Sequence, residues 1–488
     1  MDNSQLKKKT ISSMLWNAVQ RFGTMTISFV SNLVLARLLL PDDFGCIGML
    51  AIFISLSEVF IDGGFGSALI QKKDASQVDF STIFYWNLFV AVILFLVLYV
   101  CSPYVAEYYR MPLLKDVLRA ISVVLIINGF SVIQTSILTK NLDFKLIAKI
   151  NLISMTIGVI VAVVMAYMGY GVWSLVAKNI LAALITAILL WALTKWRPSL
   201  VFSWASFKSL FGFGSMLLIS RLLNSLYENV QGLVIGRYFT AKDLGYYSQA
   251  KKLDQLPSSS MSQIVTRVTF PVFSKISDNR GVLQSSVRKN ILCTTYLFFP
   301  LQLLLIVLAK DLIVFLFTDK WIESVIYFRI MCIYSMFIPL NAINTNIYLA
   351  IGKSNLYFWV QLIKKVIGVA LLIAGIHYGV VGITWSLAAS GLIWWVIAAA
   401  VNSKILDYGF FKQLKDVGVF LVISIIVGGG VYYLSTLMQL PTLLSIIVLS
   451  LIFFGLYLVI SKIFNLEPLK IYVSIIKDYL SKKKNKIH

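Results

Sequence analysis

Windows of continuously apolar residues recur along almost the whole chain, each of about 20 residues and so long enough for an α-helix to cross about 30 Å of hydrocarbon. They fall at residues 14–38, 45–69, 81–103, 117–138, 150–168 and 172–195, then at 211–236, 245–271, 290–309, 325–350, 356–376 and 380–402, and last at 416–436 and 442–462. The pattern predicts an all-α integral membrane protein with about 14 transmembrane helices. It speaks against a β-barrel, whose strands alternate apolar and polar positions over about ten residues. Between the sixth and seventh windows Val201, Trp204, Phe207 and Phe211 recur at helical spacing beside Ser203 and Lys208. That spacing predicts an amphipathic helix lying in the interface between two groups of spans.

The polar positions carry a second pattern. "ARLLLPDDFG" at residues 36–45 returns as "GRYFTAKDLG" at residues 236–245, so that Arg37, Asp43 and Gly45 fall on Arg237, Asp243 and Gly245 without a gap. Arg21, Thr24, Ser28 and Ser31 share one face of the first span, and Arg221, Asn224, Glu228 and Gln231 repeat that stripe at the same offset. An even number of spans separates the copies, which makes them parallel repeats about an axis along the membrane normal. The expected organisation is an N-lobe at 1–198, an amphipathic linker at 199–210, a C-lobe at 211–402, two further spans at 403–463 and a basic tail at 464–488. A charge near mid-membrane costs about 2.5–3.5 kcal/mol on insertion scales, so the two stripes are expected to face a central cavity and not lipid.

Composition agrees with a bilayer. Of the 488 residues 59% are hydrophobic and 13% charged, with a mean hydropathy of +0.85. The net charge of +22 would suggest nucleic acid in a soluble chain. Here its placement sets topology instead: with the N-terminus inside, cytoplasmic segments carry about 26 Lys and Arg against about seven outside. Both termini are expected in the cytoplasm. Lys7–Lys9 precede an apolar run as in a signal peptide, but no small-residue cleavage site follows, so the first span is expected to stay in the mature protein. Cys46, Cys101, Cys293 and Cys332 are scattered singly and read as apolar fillers.

Several residues inside spans carry charge. Glu58 and Asp62 stand one helical turn apart before "GGFG" at 63–66; like charges at that spacing call for a proton on one or a cation such as Arg21 between them. Asp254 precedes Pro257, where a helix is expected to kink, and Gly63, Gly64 and Pro257 are candidate hinges. Lys178, Arg329, Lys364 and Lys365, with Arg21 and Arg221, would make a cavity positive and suited to an anionic group such as phosphate. The bland reading of each arginine is an ion pair that holds helices together.

Enzymatic chemistry has little to work with. The two histidines, His377 and His488, sit in a short outer loop and at the C-terminus. "GKS" at 352–354 lacks the first glycine of a phosphate loop, Ile347 standing there. Asp42 and Asp43 read as a turn leading into the second span. No metal site and no bound cofactor are expected. In the tail, Leu469, Val473, Ile476 and Leu480 oppose Lys470, Lys477 and Lys482–Lys484, which predicts a helix along the anionic inner leaflet.

With these residues in hand the chain resembles the polysaccharide flippases of the Wzx type, within the multidrug/oligosaccharidyl-lipid/polysaccharide exporter superfamily. The resemblance is carried by "FIDGGFGSALIQKK" at 60–73, "FSWASFKSLFGFG" at 202–214, "VIGRYFTAKDLGYYSQAKKLDQLP" at 234–257 and "FPVFSKI" at 270–276. It implies two six-helix lobes that alternate in facing cytoplasm and periplasm, and an oligosaccharide linked through diphosphate to a polyprenol as substrate. On that reading Arg21 and Arg221 hold the diphosphate, with Lys178, Arg329 and Lys364 as further cavity residues, while Asn224 and Gln231 lie near the sugars. A proton or sodium gradient would act on Glu58, Asp62, Glu228 or Asp254. The expected location is the bacterial inner membrane, with membrane lipids and polysaccharide polymerase machinery as candidate partners and no nucleic acid. The alternatives are a cation-coupled multidrug antiporter of the same fold, which needs a more acidic cavity, and a membrane enzyme of polysaccharide assembly, which needs a larger outer loop.

Overall fold

In hydrocarbon a backbone must satisfy its own hydrogen bonds, and long apolar runs therefore fold as helices. The computed structural model describes residues 3–438 and 440–484. Over the first half it comprises α1 (Asn3–Leu38), α2 (Pro41–Asp62), α3 (Phe65–Gln71), α4 (Gln77–Tyr108), α5 (Leu113–Lys140), α6 (Phe144–Tyr167), α7 (Val172–Leu193) and α8 (Trp204–Tyr238). There follow α9 (Ala241–Lys275), α10 (Arg280–Val307), α11 (Ala309–Phe317), α12 (Ser324–Ala350), α13 (Ser354–Ile376), α14 (Gly379–Leu406), α15 (Phe410–Leu437), α16 (Thr442–Ile463) and α17 (Glu467–Lys484). Among the described residues 12 helices are long and apolar enough to cross a membrane, with α2 and α3 counted together. The expected spans that fall outside that set lie on α1 and α9, where Lys, Arg, Ser and Gln dilute the apolar windows.

Two expectations change in detail. The amphipathic segment around Trp204 is not a separate helix: the Ser203 side chain caps the start of α8 by accepting from the Ser206 amide at 3.2 Å, and the helix runs on to Tyr238. The second span is not continuous either. It breaks between α2 and α3 because Gly63 and Gly64 adopt φ of 54° and 72°, left-handed values that favour glycine. A Cβ on Gly64 would lie 2.5 Å from the Gly214 carbonyl oxygen, so the break is seated on the third turn of α8.

By contact the chain divides into Met1–Gly245 and Tyr246–His488. The sequence repeat marks the change of lobe near residue 200; α8 nevertheless belongs with the first unit, because it packs on α2, α3 and α4. In that unit α4 packs on α5, α5 and α6 on α7, and α1 on α6. Phe65, Leu69, Ile83, Phe84, Ile133 and Phe207 form a shared core where α3, α4, α5 and α8 meet.

In the second unit α12 packs on α14 and α10, and α10 on α15. An amide interlock fixes α15 there. Gln413 Nε2 donates to Asn344 Oδ1 at 2.8 Å, Asn402 Nδ2 donates to the same oxygen at 2.7 Å, and Trp395 Nε1 donates to Gln413 Oε1 at 2.9 Å. Gln413 and Asn344 are fully buried, so Gln413→Leu strands buried donors and acceptors at about 1–3 kcal/mol per group. The thermal unfolding midpoint of the purified protein should fall accordingly. The neighbouring clasp, in which Arg288 pairs with Asp416 at 2.8 Å and Glu467 at 3.3 Å, is partly exposed. Arg288→Ala should therefore cost no more than about 1 kcal/mol. Tyr408 donates to Asp416 at 2.7 Å, and burial together with that carboxylate pushes its phenol well above the usual range. The clasp and the bond from the Tyr472 hydroxyl to the Cys293 carbonyl, 3.1 Å, tie α17 to α10. The side chains of Ile476, Leu480 and Lys482–Lys484, part of the expected interfacial stripe, lie outside the described residues.

Candidate functional site in the first unit

Residues 221, 225 and 229 lie four apart and so form one stripe of α8, which is set against α2 and α3. Asn229 Nδ2 donates to Ser55 Oγ at 3.1 Å, and the Ser225 and Ser55 hydroxyls meet at 3.1 Å. A turn further along, Arg221 Nη1 donates to Asp62 Oδ2 and Nη2 to Ser67 Oγ, the latter at 3.2 Å. Gly66 gives this cluster room, since a Cβ there would come within 2.9 Å of both Asp62 Oδ1 and Ser136 Oγ. The cation beside Asp62 is thus Arg221 and not Arg21, contrary to the expectation from spacing. The reason is packing: α8 lies along α2 and α3, while α1 packs on α6. The Arg21 side chain is half-buried and makes no ion pair or hydrogen bond among the described residues.

A second polar feature lies alongside. A cavity of about 570 Å³ opens between α1, α2, α5, α6 and α7. Its polar lining comprises Thr24, Ser55, Glu58, Asn128, Asn151, Ser154, Asn179 and Thr186, with Ile47, Leu50, Ile54, Ile121 and Val124 among the apolar walls. Glu58 is the one charged residue among them, and Asn128 Nδ2 approaches its Oε1 at a long 3.4 Å. Thr24 donates to the Arg21 carbonyl at 3.1 Å, which leaves its oxygen as an acceptor, whereas Ser55 donates to the Ile52 carbonyl at 3.2 Å and is already engaged by Ser225 and Asn229. Glu58 and Asp62, read together from sequence, therefore serve different places: one faces the cavity, the other the Arg221 pair.

The remaining candidates are dispersed. On α8, Asn224 and Glu228 are exposed and Gln231 is buried; Lys178 is half-buried on α7. In the second unit Asp254 is buried and accepts from the Ser335 hydroxyl at 2.8 and 2.6 Å. Pro257 sits inside an α9 that continues through it, with the Ser258 hydroxyl donating to the Asp254 carbonyl at 2.8 Å. Arg329 Nε donates to the Ile306 carbonyl at 3.2 Å, and Lys364 Nζ lies 3.4 Å from the centre of the Trp394 ring. Arg329, Lys364 and Asp254 thus meet different partners. Arg237 donates to the Tyr108 carbonyl at the end of α4 and stacks 4.6 Å over its ring. Sequence reasoning missed Asn128, Asn151 and Asn179, whose spacing along three different spans gives no periodic signal.

These features define a multi-pass helical membrane protein with polar chemistry held inside an apolar shell. The chain belongs to a family of polysaccharide biosynthesis proteins, whose profile it matches over residues 34–326. It is 27% identical to the teichuronic acid biosynthesis protein TuaB of Bacillus subtilis over 83% of this chain and 85% of that protein. It is 24% identical to the lipopolysaccharide biosynthesis protein WzxC of Escherichia coli over 78% of each. Among solved structures it shares the fold of the lipid II flippase MurJ in an inward closed conformation, with a TM-score of 0.76 at 16% identity over 92% of this chain and 98% of that one. An inward-facing multidrug resistance transporter of the MATE family and MOP superfamily also shares the fold, with a TM-score of 0.62 at 13% identity over 81% of this chain and 98% of that one. The all-α membrane architecture expected from the apolar windows is thus the fold of these transporters.

Proposed function

We propose that the chain flips a polyprenyl-diphosphate-linked oligosaccharide from the cytoplasmic to the periplasmic leaflet of the bacterial inner membrane, by alternating access, for surface polysaccharide export. The observation that carries this reading is the fold of a lipid II flippase over nearly the whole chain in a member of a polysaccharide biosynthesis family. The polar head group cannot cross hydrocarbon bare, and protein hydrogen bonds must replace its water. Arg21 supplies a guanidinium with no ion pair or hydrogen bond among the described residues, and Arg221 one whose Asp62 partner is exchangeable for phosphate. The remaining basic candidates, Lys178, Arg329 and Lys364, would guide the head group, and Asn224 and Gln231 would meet its sugars. The prenyl tail stays in lipid, and both termini lie in the cytoplasm.

The Arg221–Asp62 pair offers a coupling device for an H+ or Na+ gradient: a proton or sodium ion on Asp62 frees Arg221, and diphosphate does the same in competition. Glu58, Glu228 and Asp254 are the other carboxylates available for coupling. In cells lacking the chain, the lipid-linked sugar should accumulate on the inner leaflet and surface polysaccharide should fall; wild-type amounts of both would reject the reading. One observation favours a second reading, a cation-coupled multidrug antiporter: the cavity of the first unit has Glu58 as its single charged lining residue. Energy-dependent efflux of a cationic dye from vesicles would support that alternative.

A further inference from the structure

The cavity among α1, α2, α5, α6 and α7 is lined by polar groups that the fold itself leaves idle. Asn151, Asn179 and Thr186 donate no side-chain hydrogen bond among the described residues. Ser154 is 1% exposed, faces this space, and its hydroxyl has no partner among the described residues. Buried polar atoms are rarely left unpaired in native structures, so the Ser154 hydroxyl, facing a space that the idle amides of Asn151 and Asn179 also line, marks the place of an external hydrogen-bonding partner.

The chemistry of that partner follows from the lining. No lysine or arginine lines the cavity, and a carboxylate does, so an anionic group would enter without compensation. A bare metal ion needs several oxygen ligands converging within about 2.6 Å. This space measures about 570 Å³, and no group of three or more His, Cys, Asp or Glu residues occurs among the described residues. Amides that both donate and accept, hydroxyl oxygens that accept, one carboxylate able to take two hydroxyl donors, and aliphatic walls for C–H faces together match a pyranose ring. The volume lies within the roughly 300–1,000 Å³ of small-molecule sites. Position agrees as well: Thr24 in the lining is one turn from Arg21 on the same face of α1, the order in which a sugar follows a diphosphate.

We infer that this cavity is a glycan subsite, which takes a sugar residue without negative charge at the reducing end of the lipid-linked substrate. The inference rests on the flippase reading above and assigns it a specificity element: Asn128, Asn151, Asn179 and Ser154 read sugar hydroxyls or an acetamido group, and Glu58 accepts from hydroxyls and repels uronic acids.

The test uses the full chain in lipid nanodiscs and four probes: undecaprenyl diphosphate alone, and the same lipid bearing N-acetylglucosamine, glucose or glucuronic acid. Wild type should bind at least one neutral-sugar lipid about tenfold or more tightly than the bare lipid, and should show no such gain for the glucuronic acid lipid. Asn151→Ala with Asn179→Ala, and separately Ala183→Phe to fill the space, should erase that gain and leave the bare lipid's affinity unchanged. Glu58→Gln should admit the glucuronic acid lipid. Arg21→Ala should weaken all four probes by a common factor. If the gain survives both the double variant and Ala183→Phe, or if no neutral sugar confers a gain, the subsite is rejected while the flippase reading stands. If wild type binds none of the four lipids, the flippase reading fails first. Dye-stain size-exclusion profiles matching wild type qualify each variant as folded.

Discussion

Arg21→Ala is expected to lower export of surface polysaccharide by about 10–100-fold while the protein inserts and unfolds as wild type does. The magnitude is that of one charge-assisted hydrogen bond to phosphate, about 1.5–3 kcal/mol at 1.4 kcal/mol per decade. The unchanged stability follows because the Arg21 side chain makes no ion pair or hydrogen bond among the described residues. Arg221→Ala should reduce export comparably, but for a mixed reason, since it also deprives Asp62 of its cation. The two contributions separate by magnitude. An ion pair whose side chains are 44% and 30% exposed contributes at most about 1 kcal/mol of stability in an aqueous setting, so a large export defect in Arg221→Ala cannot come from lost stability alone. Exchanging the charges, Asp62→Arg with Arg221→Asp, should restore the pair and the unfolding temperature without restoring export. Lys at either arginine should recover part of the activity, because it keeps the charge and loses the bidentate fork. Surface polysaccharide at wild-type level in both Ala variants would remove these residues from the transport path.

The helical architecture was legible because span length and continuous hydropathy are local properties, and the repeated turn because Asp43 and Asp243 recur at a fixed offset and cap their helices alike. What remained hidden depends on how helices are rotated and paired. The stripe Arg21–Thr24–Ser28–Ser31 placed its members on one face of α1 but carried no information about which neighbour meets that face. Asp62 therefore drew its partner from 159 positions away on α8 and not from the nearer Arg21. "GGFG" signalled a special backbone, and positive φ at Gly63 and Gly64 accounts for it; its seat on Gly214 is a tertiary fact. The segment at 201–211 did not form a helix of its own: residues 201–203 precede α8, and from Trp204 the chain runs without a break into the next apolar run. The cavity escaped notice for a different reason. Asn128, Asn151 and Asn179 lie singly on three spans and convey nothing until α5, α6 and α7 bring them together.

The repeated "PDDFG" and "AKDLG" turns lead to the second large effect. In both, an aspartate folds back to accept from the backbone amide three residues earlier, Asp43 from Leu40 at 2.9 Å and Asp243 from Thr240 at 3.1 Å, which starts α2 and α9 in the same way. The two starts then touch, reciprocally and within the first unit. A Cβ on Gly45 would overlap the Ala241 carbonyl, and a Cβ on Gly245 would overlap the Pro41 carbonyl. Neither obstacle is a flexible side chain, so the backbones must part if either glycine is replaced. Gly45→Ala and Gly245→Ala should each destabilise by about 1–3 kcal/mol, the usual cost of overpacking, even though alanine is the better helix former by about 1 kcal/mol. The double variant should cost less than the sum, because the first substitution already opens the crossing for the second. Gly232→Ala is the control: its Cβ would meet the Gly48 carbonyl at an ordinary 3.7 Å, so helix propensity should prevail and stability should hold or rise slightly. Thermal unfolding of the four variants in one detergent decides the matter. Gly45→Ala and Gly245→Ala that melt with Gly232→Ala, or a strictly additive double variant, would mean that the paired turns are independent caps and that their repetition does not encode a contact between them.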